Sequence, residues 1–182
     1  MKTLIVVDMQ NDFIDGALAN PAAAAIVEPM AEYIKKWQGN VIFTKDTHYV
    51  GYLKTQEGRN LPIEHCMHMT EGWEINKTLA KAIFDNEYYK NGDCDTYAFE
   101  VEKESFGDIE HLVQEMDDYT EEIYLCGTCT DICVISVALN LKARFPEIKI
   151  YCLANLCAGL TPEKHAAALE VMKSCQIEVI EG

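Results

Sequence analysis

Six short runs of apolar, largely β-branched residues alternate for most of the chain with segments of helical periodicity. This alternation predicts an α/β fold, a three-layer α/β/α sandwich around a mostly parallel six-stranded sheet. Two further observations agree with it. Most of the runs are continuously apolar, as in strands covered on both faces. Reactive side chains recur just past the ends of the runs, where open parallel sheets bind ligands. With 182 residues, one domain over 1–182 is expected.

Leu4-Ile5-Val6-Val7 reads as the first buried strand. Residues 22–37 read as a helix that Gly39-Asn40 stops. Val41-Ile42-Phe43-Thr44 is the second strand. Residues 45–72 are polar and aperiodic; a loop this long between sound elements is usually functional. A short helix is expected over 76–84, a short strand over 98–101 and a helix over 108–116, where Ile109, Leu112, Val113 and Met116 share a face. Residues 123–126 form a strand, and 130–144 a helix with Thr130 as its N-cap and Pro146 beyond its end. Residues 148–153 form a strand. Pro162 opens a helix running to about 174. The last strand is 177–180.

Composition excludes several functions. Fifteen Lys and Arg stand against 30 Asp and Glu, a net charge of −15. Nucleic-acid binding needs a basic footprint, and an anionic membrane surface repels such a chain. No apolar run approaches the ~20 residues of a membrane span. The opening apolar run stops at Asp8, too short for an export signal, so a cytoplasmic protein is expected. Its eight cysteines are then reduced thiols, mostly small buried hydrophobes. The charge is uneven: from Asp85 to Glu122 there are 14 carboxylates and two lysines, Lys90 and Lys103. Most of that stretch reads as a solvated surface.

Asp8 closes the first strand, Asp46 and His48 follow the second, Lys103 the third, and Cys129 and Cys133 the fourth. Any one of these is unremarkable in a polar loop, but several converge on one rim. Cys133 is placed in the first turn of a helix, where the dipole and free N–H groups favour a thiolate and can hold an oxyanion. A cysteine nucleophile needs a base. His111 and His165 fall within helices and read as surface residues, which leaves Asp8 as base and Lys103 as the cation beside it. Lys103 could equally form a surface ion pair with Glu102 or Glu104. Asp46 and His48, two apart on an extended segment, point the same way and suit zinc, iron or manganese. Glu57 and His65 in the adjoining loop could complete such a site.

Taken together, Leu4 through Phe13, Thr44 through His48, Leu61-Pro62 through His65-Cys66, Lys103 with Ser105-Phe106-Gly107, and Gly127 through Val134 resemble the isochorismatase-like cysteine hydrolase superfamily, nearest to its nicotinamidase-type amidases. The resemblance spans nearly the whole chain. It implies a catalytic triad of Asp8, Lys103 and Cys133 and a divalent metal held by Asp46, His48 and His65. It also implies a cis peptide between Thr128 and Cys129, with the backbone N–H groups of Cys129 and Cys133 at the oxyanion, and Phe13 lining the pocket. Many such amidases carry a further histidine soon after the Asp-x-His; here Glu57 is the candidate for that place. An aromatic residue often stands three positions before the second metal histidine; Pro62 is there instead, with Trp73 as a candidate replacement. His68-Met69 stands where small residues are common, which would narrow the pocket. The implied partner is a small amide, and relatives are often homo-oligomers.

Three readings follow: an amidase with nicotinamide as the leading substrate, a hydrolase of the same fold acting on a carbamoyl or isochorismate-like compound, and a non-catalytic thiol sensor. Isochorismate-type chemistry needs no cysteine nucleophile, so Cys133 with Lys103 favours the amidase.

Overall fold

The computed structural model describes residues 1–90, 97–116 and 120–181. Its centre is a six-stranded sheet in the order β3-β2-β1-β4-β5-β6. The strands are β1 (Lys2–Val7), β2 (Asn40–Asp46), β3 (Ala98–Lys103), β4 (Glu122–Thr128), β5 (Lys149–Ala158) and β6 (Glu178–Ile180). Every pairing is parallel. The six predicted strands are all present, and the sheet is wholly rather than mostly parallel. Leu4, Ile5, Val6 and Val7 of the central β1 are fully buried, as their unbroken apolar run requires.

The helices are α1 (Asn11–Ile14), α2 (Pro21–Lys36), α3 (Gln56–Asn60), α4 (Lys77–Asp85), α5 (Glu87–Lys90), α6 (Glu110–Glu115), α7 (Ile135–Arg144) and α8 (Pro162–Ser174). Right-handed crossovers put α2 and α4, which pack together, on one face, and α7 and α8, which also touch, on the other. Local chemistry sets the helix ends. Asn20 caps α2 by accepting from the Ala22 N–H, and Asn76 and Thr161 do the same for α4 and α8. Among the described residues, no helix is long and apolar enough to cross a membrane.

Several expectations need correction. The stretch 45–72 is not structureless: it holds α3 and short 3-10 turns at Tyr52–Lys54 and Glu71–Trp73. The helix expected over 130–144 is two elements, a π-helical turn at Thr130–Val134 followed by α7. Thr130 is not its N-cap; Cys129 holds that position, and the Thr130 hydroxyl lies 2.9 Å from His165 Nδ1. His165 is therefore half-buried rather than a surface residue. The short α1 and α5 have too few residues to show a period and were not foreseen. Cys94 and part of the acidic stretch lie outside the described residues.

Candidate active site

Four neighbouring strands, β3, β2, β1 and β4, deliver their carboxyl ends to one place. Asp8 leaves β1 in a left-handed conformation (φ 50°), which aspartate tolerates better than bulkier residues. Its carboxylate is fully buried and accepts a 2.6 Å hydrogen bond from the Thr44 hydroxyl. Lys103 ends β3. Strand alternation turns it inward, 2 % exposed, while Glu102 is half-buried and Glu104 is exposed. Its Nζ lies 2.8 Å from Asp8 Oδ2, 3.5 Å from Asp46 Oδ1 and 3.7 Å from Cys133 Sγ. Cys133 is buried in the π-helical turn beyond β4. The peptide between Thr128 and Cys129 is cis.

Burial dominates the electrostatics. It pushes the Asp8 carboxyl up, with the Lys103 charge opposing. It pushes the Cys133 thiol well up, reinforced by the Asp8 charge and opposed by Lys103. For Lys103, burial works against the cation, but Asp8, Cys133 and Asp46 outweigh it and hold the ammonium firmly charged. The helix start favours a Cys133 thiolate, while burial and the Asp8 charge oppose it.

Beside this trio, donor atoms of Asp46, His48, Glu57 and His65 all lie within 4.8 Å of one another. His48 Nε2 is 3.2 Å and His65 Nε2 3.6 Å from Asp46 Oδ2. His65 Nδ1 lies 2.8 Å from the Ile63 carbonyl, so that nitrogen donates, and in the neutral ring Nε2 is the one with a lone pair for a metal. His48 Nε2 is buried with no well-aligned hydrogen-bond partner among the described residues. Two imidazoles and two carboxylates with an orphaned buried nitrogen fit a divalent metal. Asp46 is pushed up by burial, but the neighbouring imidazoles and Lys103 hold it well below the usual carboxylate range. Burial and the Asp46 charge push Glu57 up. The Tyr52 ring covers both histidines, at 4.5 Å and 5.2 Å between centroids.

Both groups open into a cavity of about 520 Å³ whose floor includes Asp46, Glu57, His65, Cys129 and Cys133. Phe13, Leu18, Leu61, Phe106, Ile132 and Leu160 line its walls, and among the described residues no lysine or arginine does. Phe13 is where it was expected, edge-on to His65 at 5.7 Å. Thr128 is not on the wall; its hydroxyl donates to the Ala158 carbonyl. Trp73 does not replace the missing aromatic. It is buried away from the cavity, its Nε1 donating to Thr47 and the Lys45 ammonium 3.0 Å above its ring. Nor does His68 narrow the pocket, since it packs on Tyr49 and Trp73 instead.

Sequence reasoning missed the supports: Gln10, Asp12, Thr44, Lys45 and the wall residue Phe106. Gln10 and Asp12 lie inside the opening motif, and their polarity beside an apolar strand is the one signal that could have marked them. Asp12 accepts from the Cys66 N–H at 2.7 Å and so anchors the backbone next to His65.

Known proteins share this architecture. The nicotinamidase/pyrazinamidase of Mycobacterium tuberculosis is 26% identical over 187 residues, covering 99% of this chain and 98% of its own. The crystal structure of the pyrazinamidase of Pyrococcus horikoshii in complex with zinc superposes with a TM-score of 0.73 at 29% identity, covering 100% and 99% of the two chains. That of the pyrazinamidase/nicotinamidase of Streptococcus mutans gives 0.78 at 26% identity, covering 99% and 100%. The family model described as the isochorismatase domain matches residues 2–182, and with strand order, cavity and match in agreement, the chain belongs to the isochorismatase domain family.

Proposed function

We propose that the protein is a cysteine amidohydrolase that cleaves a small uncharged carboxamide, with nicotinamide the leading substrate, through a thioester on Cys133. The observation that carries this is the buried Lys103 ammonium, 2.8 Å from Asp8 and 3.7 Å from the sulfur of Cys133, which lines a cavity with apolar walls. Relatives named as nicotinamidases support the substrate. The apolar side chains of Phe13, Leu18, Leu61, Phe106, Ile132 and Leu160 around the cavity suit a small neutral ring.

Asp8 accepts the Cys133 thiol proton as the sulfur attacks the amide carbon. Lys103 holds the two groups in register and stabilises the charge passing between them. The backbone N–H groups of Cys129 and Cys133 are the oxyanion donors, each worth about 3–4 kcal/mol in comparable hydrolases. The C–N bond breaks as Asp8 returns the proton to the departing ammonia. Water then adds to the thioester, giving its proton to Asp8, and the C–S bond breaks to release the acid and restore the thiol. Asp46, His48, Glu57 and His65 would hold a divalent metal, zinc foremost, which when bound supplies a Lewis-acid point to orient the substrate ring nitrogen or a water. Free thiols among the described cysteines suit a reducing, cytoplasmic setting.

The test is ammonia release from a panel of neutral and anionic amides. Nicotinamide turnover is expected, with Cys133→Ala at background and an acyl adduct on the wild-type chain by mass spectrometry. Full activity in Cys133→Ala would overturn the scheme.

A further inference from the structure

We infer that Gln10 is a positioning residue for the metal set, acting by clamping both sides of the Asp46 backbone. Gln10 is fully buried, three residues past β1. Its Oε1 accepts from the Asp46 N–H at 2.8 Å. Its Nε2 donates to the Asp46 carbonyl at 2.9 Å and to the Trp73 carbonyl at 2.9 Å. One amide therefore brackets Asp46 from both directions and ties it to the loop beyond His65. The Gln10 backbone adds a bridge to Ile75, further along that loop.

The clamp matters because of where the Asp46 carboxylate stands. One oxygen faces His48 and His65, and the other faces Lys103. A small rotation of that residue would move a metal donor away from both imidazoles. Outer groups that orient donors typically change metal affinity 10–100-fold when removed. Gln10 touches no donor atom of the set. Its effect passes through the backbone of the residue that supplies one.

The inference rests on the metal part of the proposed function, so its test reads metal binding without turnover. The full chain, stripped by chelation, is titrated with zinc against a chromophoric chelator. Gln10→Met keeps length and volume but neither donates nor accepts as an amide, and its zinc affinity is expected to fall about 10–100-fold. Amide turnover should recover toward wild type as zinc is raised at a temperature where circular dichroism shows the zinc-free variant already fully folded, so that the recovery is not zinc stabilising a weakened fold. Asn86→Leu is the control. Asn86 is fully buried and bonds the Ile34 and Trp37 carbonyls near the opposite end of the sheet, so melting should fall with zinc affinity unchanged. If Gln10→Met does not fold, Gln10→Asn carries the same comparison without adding a charge, because its amide is one carbon too short to hold both Asp46 backbone groups and the Trp73 carbonyl. Zinc affinity within twofold of wild type in the folded variant overturns the inference, as does a wild-type chain that binds no zinc. A chain that binds zinc through this clamp yet hydrolyses no amide overturns the amidase reading alone.

Discussion

Lys103 offsets the mutual repulsion of the Asp8 and Asp46 carboxylates and stands beside the Cys133 sulfur. Removing one partner of a buried charge set costs about 3–5 kcal/mol, because the remaining charges stay desolvated. Lys103→Met should therefore lower stability by about that amount, read by urea unfolding, and abolish turnover in the fraction that folds. Asp8→Asn tests a different property. It keeps the shape but cannot take the thiol proton, and kcat should fall about 10²–10⁴-fold, measured by ammonia release. At this scale the sequence was informative where a reactive type stood at a strand exit, as with Asp8, Asp46, His48, Lys103 and Cys133. It was silent on Gln10 and Lys45, because nothing local says that a glutamine will meet the Asp46 backbone or a lysine the Trp73 ring. Burial is likewise a tertiary quantity, and it opposes the thiolate that the local dipole favours.

The π-helical turn at Thr130–Val134 is the element that presents the nucleophile. Its wider winding lets the Val134 N–H reach the Cys129 carbonyl at 3.1 Å, and α7 begins only afterwards. Contacts from outside hold it, among them Thr130 with His165 of α8 and the Asp131 carboxylate accepting from the Leu160 N–H at 2.8 Å. Just before it, Gly127 has φ 124°, and a Cβ there would overlap the Val7 carbonyl oxygen of β1. Gly127→Ala should cost at least about 1–3 kcal/mol for the backbone conformation alone, and more for the overlap. A thermal melt checks this, with loss of activity expected because β1 and β4 carry Asp8 and Cys133. The inner strands β1, β2 and β4 were legible to within a few residues because two-sided burial writes an unbroken apolar run, whereas β5 runs five residues beyond its expected end. The π winding was not, since its pattern over five residues is indistinguishable from the start of an α-helix.

For the whole molecule, metal binding and folding are linked. A metal that does not bind the unfolded chain, at 100 times its dissociation constant for the folded one, adds about 2.7 kcal/mol. For a chain of this length that is roughly 5–11 °C in Tm. Differential scanning fluorimetry should show that rise when zinc is added after chelation, and Asp46→Ala should remove it. The chain's net charge is −15, yet the described cavity walls are largely apolar, with Asp46 and Glu57 the carboxylates that line the cavity. The strand order also sets an order of events in refolding. All four candidate metal donors lie before residue 66, on β2 and the loop that follows it. Cys133 arrives only when β4 joins β1 across the 114 residues between Val7 and Glu122. Closing so long a parallel pairing is slow compared with local assembly. Zinc capture and amide turnover should thus return on separate clocks, the first preceding the second.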